Sequence, residues 1–316
     1  MIARDTVDVV IVNWNTGPAL RACLRSIART DRSVLPVGSV VVVDNDSRDG
    51  SVDCLTDQLP SDGPTLTVRR NHHNLGFAAA CNQGAALRRT GDQLLFLNPD
   101  TELYPDTLRV VGEFLHGPAA AGVGICGARI LDAEGRPGLS CSRFPTLRST
   151  VGAMTGLDRL LPAVFPPRHL APAELRRSGP VDQVIGAFFL IRRQLFEQLG
   201  GFDERYFLYY EEVDLALRAR QHGWRSQYLA EARVHHIGGA SSDQVRSRRL
   251  GHSLRSRTLY ARRHWPRGQA RLLVPLTLTV ELPARLARAG WHRSWTELAE
   301  TGGGFARYLR WLTTGG

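Results

Sequence analysis

The sequence predicts an α/β fold with a doubly wound, mostly parallel sheet, followed by a basic helical extension. Three observations support this prediction. Short apolar runs alternate with helical patterns through the first hundred residues, which is typical of buried strands joined by crossover helices. Polar and acidic residues follow directly after several of these runs. The excess of basic residues is confined to the C-terminal quarter of the chain.

The predicted elements alternate along the first half of the chain. Four apolar runs are expected to be strands: 7–12, 40–43, 66–68 and 94–97. Four stretches are expected to be helices: one through Leu20, Leu24 and Ile27, and others over about 51–59, 76–87 and 107–115. Because strands and helices follow each other at short spacing, the strands are expected to lie parallel in one sheet.

The segment 122–127 matches the spacing G-x-G-x-x-G, but we interpret it as a strand. A dinucleotide-binding loop needs a preceding strand, a following helix and an acidic residue about 20 positions later. Here the segment runs into apolar residues 128–131 and a turn at 132–135. Residues 132–180 are rich in Pro, Gly and Arg, and we expect a long loop region that helps to cover a site.

The strand and helix patterns resume after residue 180. An apolar stretch over 185–191 leads through Leu195 and Phe196 to the segment 199–204. A helix is expected to begin near Glu211 and to end at Gly223, and a strand over 226–229 follows it. We expect the compact domain to end near residue 241.

Charge distinguishes the two predicted domains, which cover residues 1–242 and 243–316. The chain has 316 residues, of which 43% are hydrophobic and 22% charged, as in globular proteins. The 14 Arg residues after residue 242 exceed the four acidic residues there by ten, which is the whole net charge of +10. The first domain is therefore neutral, and the second is strongly basic.

The second domain has the pattern of a membrane-surface anchor. Basic helical stretches near 246–264 and 285–293 flank an apolar segment, 272–282, and Pro275 and Pro283 interrupt the region. A basic, partly apolar set of helices is typical of contact with anionic lipid. The alternative is a solvated helical hairpin packed on the first domain. Nucleic-acid binding is disfavoured because no nucleic-acid-binding motif accompanies the charge.

The cysteines and the N-terminus favour a cytoplasmic protein. The five cysteines are scattered and form no C-x-x-C pair: Cys23, Cys54, Cys81, Cys126 and Cys141. We therefore expect buried free thiols in a reducing compartment. Acidic Asp5 and Asp8 lie where a signal peptide would be basic and then apolar, so no signal peptide is expected. No apolar run is long enough for a spanning helix.

Acidic residues at the ends of predicted strands and at one helix start are candidates for chemistry. They form three groups: Asp44 with Asp46, Asp100 alone, and Glu211 with Glu212 and Asp214. Ligands bind beyond the carboxyl ends of the strands in open α/β sheets. One carboxylate there could hold a metal that neutralises a diphosphate, and a second could act as a general base. His235 or His236 could add an imidazole to the metal.

Two alternatives stay open at this stage. The segment Asn98-Pro99-Asp100 is also a common turn sequence. Glu211 and Glu212 point about 100° apart on a helix, so only one of them can face a given cleft.

Six motifs together resemble the inverting family 2 glycosyltransferases of GT-A fold, particularly their bacterial rhamnosyltransferase-like branch. They occur in the family's order and span about residues 7–241: Val10 to Asn15, Val43 to Ser51, Asn74 to Phe77 with Asn82, Leu97 to Thr101, Gly200 to Glu204, and Tyr210 to Leu215. The resemblance implies a Rossmann-like, mostly parallel sheet that binds a nucleoside-diphosphate sugar.

The resemblance also implies positions for the nucleotide sugar and a metal. The nucleotide-sugar residues would be Val12, Trp14, Asp44, Asp46, Gly76, Asn98 and Asp100. Asp100 would bind Mg²⁺ or Mn²⁺ together with His236, and His235 is the alternative ligand. Asn98 departs from the family's pattern, because an amide stands where the metal motif usually has its first carboxylate.

The remaining implied residues concern the acceptor and the base. The acceptor side would include Gly186, Gly201, Phe202, Asp203 and Glu211. Glu212 would be the base, at a position where many relatives have aspartate. With one base and no protein nucleophile, the reaction would invert the anomeric centre.

The resemblance favours dTDP-rhamnose as donor and a glycan or lipid-linked glycan of the cell envelope as acceptor. Donor alternatives are a UDP-hexose and GDP-mannose. A non-catalytic sugar-nucleotide-binding scaffold would keep the fold but lack a base. A nucleotidyltransferase is disfavoured because residues 13–18 do not form a glycine-rich, basic phosphate loop. The sequence indicates no oligomeric state.

Overall fold

The computed structural model describes residues 5–53, 55–236, 238 and 246–314. The chain divides into two compact units. Unit 1 comprises Met1–Ser142, Leu170–Glu204 and Glu212–Ser241, and unit 2 comprises Arg143–His169, Arg205–Glu211 and Ser242–Gly316. The predicted boundary between residues 242 and 243 lies outside the described residues.

The structure confirms the α/β class. Its strands are β1 (Val7–Asn13), β2 (Val37–Asp44), β3 (Thr65–Arg70), β4 (Gln93–Leu97), β5 (Thr101–Leu103), β6 (Val123–Leu131), β7 (Cys141–Ser142), β8 (Gly179–Val181), β9 (Gln183–Val184), β10 (Phe188–Arg192) and β11 (Arg225–His236). The α-helices are α1 (Pro18–Arg29), α2 (Phe77–Leu87), α3 (Thr107–His116), α4 (Leu147–Thr155), α5 (Leu157–Leu160), α6 (Arg193–Gln198), α7 (Glu211–Gln221), α8 (Arg246–His264), α9 (Arg267–Leu276), α10 (Leu282–Trp291) and α11 (Trp295–Thr313).

The main sheet of unit 1 has the order β3-β2-β1-β4-β10-β6-β11-β5, and β8 pairs with β11. The four strands from β3 to β4 are parallel, and β6 is parallel to β11. β10 runs antiparallel to both of its neighbours, β4 and β6. The carboxyl ends of β1, β2, β4, β6 and β11 therefore lie at one edge of the sheet.

The sheet is buried because its central strands are almost entirely apolar. All seven residues of β1 and all five of β4 are buried. Gly84 on α2 lies against β1, where an added Cβ would stand 2.4 Å from Val10 Cγ1. This glycine therefore lets the helix approach the strand closely.

Unit 2 is helical around its own small cores. One cluster contains Leu254, Phe305 and Tyr308, and α8 packs closely against α11. The two helices meet where an added Cβ at Gly304 would stand 2.7 Å from Leu250 Cδ2. A π-helix over Thr277–Glu281 links α9 to α10.

Two predictions about secondary structure were wrong. The helix expected to Leu59 is only a 3₁₀ turn over Thr56–Gln58, and the apolar residues Val52, Leu55 and Leu59 are buried without a longer helix. The region 132–180, expected to be one loop, contains β7, α4, α5 and β8. Helix α4 forms there because Thr146 caps it in a reciprocal box with Ser149.

Other predictions were confirmed or extended. The segment 122–127 is strand rather than nucleotide loop, since it lies at the start of β6. The cysteines within the described residues are buried and form no disulfide there: Cys23, Cys81, Cys126 and Cys141. Among the described residues, no helix has the length and apolar character needed to cross a membrane.

Candidate active site

The carboxyl edge of the sheet brings several predicted residues together. Strand pairing places Asn13 of β1 opposite Asp44 of β2, and Ile11 opposite Leu97 of β4. Asn98 follows Leu97 and donates its backbone N–H to Ala187 O at 3.1 Å. This bond places the predicted acceptor-side residue Gly186, the neighbour of Ala187, at the same edge.

Asn13 organises the two loops after β1 and β2. Its side chain is fully buried, and its Nδ2 donates to Asp44 Oδ1 and to Ser51 Oγ, both at 2.8 Å. Asp44 Oδ2 also accepts from the backbone N–H of Ser47 at 3.2 Å. The carboxylate of Asp44 is therefore held in one orientation. The sequence interpretation missed Asn13, although an amide ending a buried strand is a recognisable signal.

The loops after β1 and β2 are also joined through Asn15 and Ser47. The backbone N–H of Asn15 donates to Ser47 Oγ at 2.9 Å, and Arg48 donates its backbone N–H to Asn15 Oδ1 at 2.8 Å. Asn15 and Asp46 have positive φ values of 51° and 66°. Such backbone is typical of tight, functionally constrained loops. Trp14 lies half-buried in this region.

Val12 and Gly76 occupy neighbouring parts of the same edge. Val12 is buried near the end of β1. Gly76 precedes α2 with a positive φ of 89°, and its carbonyl accepts from Asn45 Nδ2 at 3.1 Å. Asn71 Nδ2 donates to Asn45 Oδ1 at 2.9 Å. The loop after β2 and the start of α2 are thus connected by amide side chains.

Asp100 and His236 are in direct contact. His236 Nε2 lies 3.2 Å from Asp100 Oδ1 and 3.4 Å from Asn98 Nδ2. The contact depends on strand register, because β11 pairs His236 with Thr101, the residue after Asp100. Successive side chains of a strand point to opposite faces, so His235 points away from His236. The structure therefore favours His236 over His235 as the partner of Asp100.

The Asp100 and His236 side chains fit a hard divalent cation. A carboxylate oxygen and an imidazole nitrogen converge, and both side chains are mostly buried. Magnesium-like ions bind few protein ligands and complete their coordination with phosphate oxygens and water. The described residues contain no group of three or more His, Cys, Asp or Glu side chains suited to a metal. The protein would thus supply two of the ligands.

The charge of Asp100 affects the pKa of a neighbouring thiol, that of Cys23. Burial raises the pKa of Cys23, and the negative charges of Asp100 and Glu102 raise it further. Cys23 Sγ lies 3.7 Å from Asn98 O. Burial and the two carboxylates together therefore disfavour the thiolate form of Cys23.

Asn82 of α2 holds the segment around Gly201 and Phe202. Its Nδ2 donates to Phe202 O at 2.9 Å, and its Oδ1 accepts from the Phe202 backbone N–H at 2.9 Å. Gly201 has a positive φ of 73°, and an added Cβ would stand 2.6 Å from Asn82 Oδ1. The motif at 74–82 and the motif at 200–204 therefore form one local structure.

The side chain of Phe202 lies in an aromatic cluster. Its ring is 4.9 Å from that of Phe96 and 5.4 Å from that of Phe196, and the residue is only 2% exposed. The sequence predicts Phe202 for the acceptor side, and in the structure its ring packs in the core. Asp203, its neighbour, is half-buried, and Asn82 Nδ2 also donates to Glu204 Oε1 at 2.9 Å.

The three acidic residues at the start of α7 differ in their surroundings. Asp214 is fully buried and accepts from Arg218 Nε at 2.7 Å, so it has a structural ion pair. Arg218 also donates to Gly201 O at 2.8 Å, which ties α7 to the Gly201 turn. Glu211 is buried, whereas Glu212 is only half-buried. As a whole residue Glu212 is thus less buried than Glu211, although Oε2 of each glutamate is buried.

The chain is similar to known glycosyltransferases. A family model described as "Glycosyltransferase like family 2" matches residues 4–252. The N-acetylglucosaminyl-diphospho-decaprenol L-rhamnosyltransferase of Mycobacterium tuberculosis (strain ATCC 25618 / H37Rv) is 30% identical over 278 residues, covering 82% of this chain and 85% of the relative. Rhamnosyltransferase WbbL of Escherichia coli (strain K12) is 28% identical over 158 residues, covering 50% of this chain and 56% of the relative.

Solved structures support the same fold. The mannosyltransferase PcManGT from Pyrobaculum calidifontis, in complex with GDP-Man and Mn²⁺, has a TM-score of 0.56 and 19% identity, covering 98% of this chain and 88% of its own. GalNAc-T7 with UDP, GalNAc and Mn²⁺ has a TM-score of 0.58 and 18% identity, covering 83% of this chain and 51% of its own. With a family match over most of its length, the chain belongs to the family 2 glycosyltransferases.

Proposed function

We propose that the protein is an inverting rhamnosyltransferase that uses dTDP-rhamnose and glycosylates a lipid-linked glycan of the cell envelope. The observation that carries this proposal is the 30% identity, over 82% of the chain, with a relative named as a rhamnosyltransferase acting on N-acetylglucosaminyl-diphospho-decaprenol. A UDP-hexose and GDP-mannose are the alternative donors. The donor would lie at the carboxyl edge of the sheet, against Trp14 and Asp44.

Asp100 and His236 are the proposed protein ligands of Mg²⁺ or Mn²⁺. When bound, the cation would supply positive charge to the diphosphate and make it a better leaving group. Asn98, beside this pair, provides an amide rather than a second carboxylate, so Asp100 carries the main negative charge of the ligand set. This proposal is supported by the 3.2 Å contact between Asp100 and His236.

Glu212 is the proposed catalytic base. Its carboxylate would accept the proton of the acceptor hydroxyl while that oxygen bonds to the anomeric carbon. The bond from the anomeric carbon to the diphosphate oxygen breaks in the same step, and the nucleoside diphosphate departs from the opposite face. One displacement at this carbon inverts its configuration. The half-buried position of Glu212, compared with the buried position of Glu211, supports the choice of Glu212 as the base.

The basic C-terminal helices are the proposed membrane-surface contact. Trp291 at the end of α10 and Trp295 at the start of α11 are 88% and 84% exposed. Tryptophan is favoured at the boundary between lipid headgroups and acyl chains, and nearby Arg288 and Arg293 would be attracted to anionic lipid. A peripheral contact of this kind suits an enzyme whose acceptor is anchored in a bilayer.

The donor is tested by titrating the purified protein calorimetrically with dTDP-rhamnose, UDP-glucose, UDP-galactose and GDP-mannose, each with and without Mg²⁺ or Mn²⁺. Metal-dependent binding of dTDP-rhamnose alone is expected. Preferential binding of another donor would replace rhamnose in the proposal. Binding of none of them would favour the non-catalytic scaffold. Transfer is then followed with an N-acetylglucosaminyl-diphospho-polyprenol acceptor, and NMR of the product should show an inverted anomeric centre.

A further inference from the structure

Unit 1 contains a cavity of about 270 Å³, called here the Arg129 cavity. Its lining residues differ from those assigned above to the donor, the metal and the base. Three segments form its walls: the end of β6 with the chain that folds back on it, the middle of β11, and a turn over 172–176. All three segments belong to unit 1. The charge of the cavity comes from Arg129 of β6 and Arg176 of the turn.

Backbone hydrogen bonds hold two of these walls in place. The chain after β6 turns back along the strand, where Gly138 donates its N–H to Ile130 O at 2.8 Å. Ile130 in turn donates its N–H to Ser140 Oγ at 2.9 Å. The second wall is a turn closed by the N–H of Leu175, which donates to Pro172 O at 3.2 Å. The cavity is therefore bounded by hydrogen-bonded backbone on both sides.

The guanidinium of Arg129 is held at two of its nitrogens. Nε donates to the Tyr228 hydroxyl at 3.3 Å, and Nη2 donates to Arg176 O at 3.2 Å. The Tyr228 hydroxyl donates to Leu175 O at 3.2 Å, and Tyr228 is only 1% exposed. Strand register explains the contact, because β11 pairs Tyr228 with Gly127, and residues two apart share a face of the sheet. Within the described residues, no hydrogen bond uses the third nitrogen of Arg129, Nη1.

The two arginines form no ion pair within the part of the chain that the structure describes. Carboxylates of neighbouring segments have other partners: Glu231 accepts from Ser178 Oγ, and Glu174 Oε2 accepts from the backbone N–H of Ala171 at 2.9 Å. Arg129 is half-buried, so the surrounding protein screens its charge less than bulk water would. The cavity is therefore suited to an anion.

The walls also indicate which kind of anion fits. Guanidinium groups bind phosphate oxygens through paired N–H donors. Pro137, Pro172 and Ala173 line the same cavity and add apolar surface. A phosphate that carries an organic group can use both kinds of wall, whereas a free phosphate ion uses only the guanidinium groups.

Arg129 lies toward the same edge of the sheet as the proposed metal site. The strand pairing places Arg129 opposite Arg233, and His236 follows three residues later on β11. At about 3.3 Å per residue, this separation is roughly 10 Å along the strand. In the proposed acceptor, one sugar separates the reacting hydroxyl from the diphosphate. An anion site at this distance from the donor is therefore where the acceptor diphosphate is expected.

We propose that the Arg129 cavity binds the diphosphate of the lipid-linked acceptor. The inference rests on the proposed function, in which the acceptor sugar is attached to a diphosphate. Arg129 donates to the phosphate oxygens, Tyr228 positions Arg129, and the exposed Arg176 adds a second positive charge. This site is separate from the one for the donor diphosphate, which Asp100 and the cation would hold.

The test compares two acceptors with the full-length chain. One is N-acetylglucosaminyl-diphospho-polyprenol, and the other is an N-acetylglucosaminide with an alkyl chain and no phosphate. Arg129→Gln is expected to raise the KM for the diphosphate acceptor by about tenfold, because a charge-assisted hydrogen bond is lost. Arg176→Gln should raise it by a smaller factor, since this side chain is exposed. The KM for the neutral acceptor and the KM for the donor should stay at the wild-type values.

Matched variants separate phosphate binding from a general loss of structure. Arg69→Gln removes an exposed arginine of β3, the edge strand on the far side of the sheet from β6, and it should keep the wild-type KM. Arg129→Lys keeps the positive charge and should recover part of the affinity. Tyr228→Phe removes the hydroxyl that orients Arg129 and should raise the KM less than Arg129→Gln does. Calorimetric donor binding by each variant reports whether the donor site is folded.

The outcomes distinguish this proposal from the proposed function. A wild-type KM for the diphosphate acceptor in both Arg129→Gln and Arg176→Gln would overturn the cavity proposal. An equal rise in KM for both acceptors would also overturn it, because that pattern does not depend on phosphate.

If the wild type glycosylates neither acceptor, the proposed function fails instead, and titration with inorganic pyrophosphate in excess chelator then tests the cavity. Binding that Arg129→Gln weakens would support a phosphate site but overturn its assignment to the acceptor. Equal binding by the wild type and the variant would overturn the site itself.

Discussion

His236 Nε2 lies 3.2 Å from Asp100 Oδ1, although the two residues belong to segments far apart in the sequence. The contact results from antiparallel pairing of β11 with β5, which places His236 opposite Thr101. A histidine and an aspartate at the carboxyl edge of the sheet can bind a cation shared with a diphosphate. The same register directs His235 to the other face.

Asp100→Ala and His236→Ala are expected to weaken metal-dependent donor binding by at least about tenfold each, because each removes a proposed ligand. Donor binding measured in excess chelator should hardly change. Calorimetry with the preferred donor and Mn²⁺ tests this. Asp62→Ala is the control, since this exposed carboxylate precedes β3 at the opposite edge of the sheet. Unchanged metal-dependent affinity in both site variants would contradict the proposed ligand set.

Glu212→Gln is expected to reduce transfer by about 10²-fold or more, because the amide cannot accept the hydroxyl proton. Donor binding should stay near the wild-type value. Glu211→Gln makes the same change at the adjacent, more buried glutamate, which the sequence places on the acceptor side, and it distinguishes the two candidates for the base. Rates come from product formation at saturating donor. Should Glu211→Gln prove the inactive variant, the base would be Glu211.

Asn82→Ala is expected to lower the free energy of unfolding by about 1–3 kcal/mol, because two buried backbone groups of Phe202 lose their partner. Gly201→Ala should also destabilise, since its φ is positive and its Cβ would clash with Asn82 Oδ1. Urea denaturation measures both effects. Gly179→Ala is the control, with no atom within 4 Å of the added Cβ. Wild-type stability of both Asn82→Ala and Gly201→Ala would refute the structural link between the two motifs.

Stability is expected to fall on acidification because of His252. Burial lowers the pKa of this residue to about 4, and nearby arginines add to the shift: Arg255, Arg307 and Arg248. The unfolded chain takes up the proton below about pH 6.5, whereas the folded chain does so only near pH 4, so stability is lost across this window. At pH 5 the loss is at most about 2 kcal/mol, and solvent screening reduces it.

Denaturation of the wild type and of His252→Phe at pH 7.5 and pH 5 isolates this contribution. Phenylalanine can keep the stacking on Phe207 but cannot be protonated. The wild type should lose more stability than the variant between the two pH values. Equal losses would show that His252 is not the responsible group.

Trp291→Ala combined with Trp295→Ala is expected to reduce binding to vesicles containing anionic lipid, because two exposed aromatic side chains are removed. Co-sedimentation with anionic and with neutral vesicles measures the effect. Leu160→Ala is the control, as this leucine is apolar and 76% exposed on α5. Binding that survives both tryptophan substitutions would place the membrane contact elsewhere or exclude it.

The local patterns of the sequence were sufficient for the fold class and for most of the elements. Runs such as those in β2 and β4 are apolar on both faces, and only a covered sheet can bury them. The polar residues that end these strands predicted the edge where Asp44 and Asp100 lie. Because parallel strands share one direction, their carboxyl ends lie together at this edge.

The same patterns did not determine which residues meet across the fold. The choice between His235 and His236 depends on the register of β11 against β5, and the link between α7 and the Gly201 turn depends on Arg218 reaching Gly201 O. The support of Tyr209 by Arg249 links a loop to a helix beyond it in the chain. Such contacts come from long-range packing, which periodicity does not encode. The sequence by itself determined the family and the sheet, whereas only the tertiary structure decided how the candidate site is held.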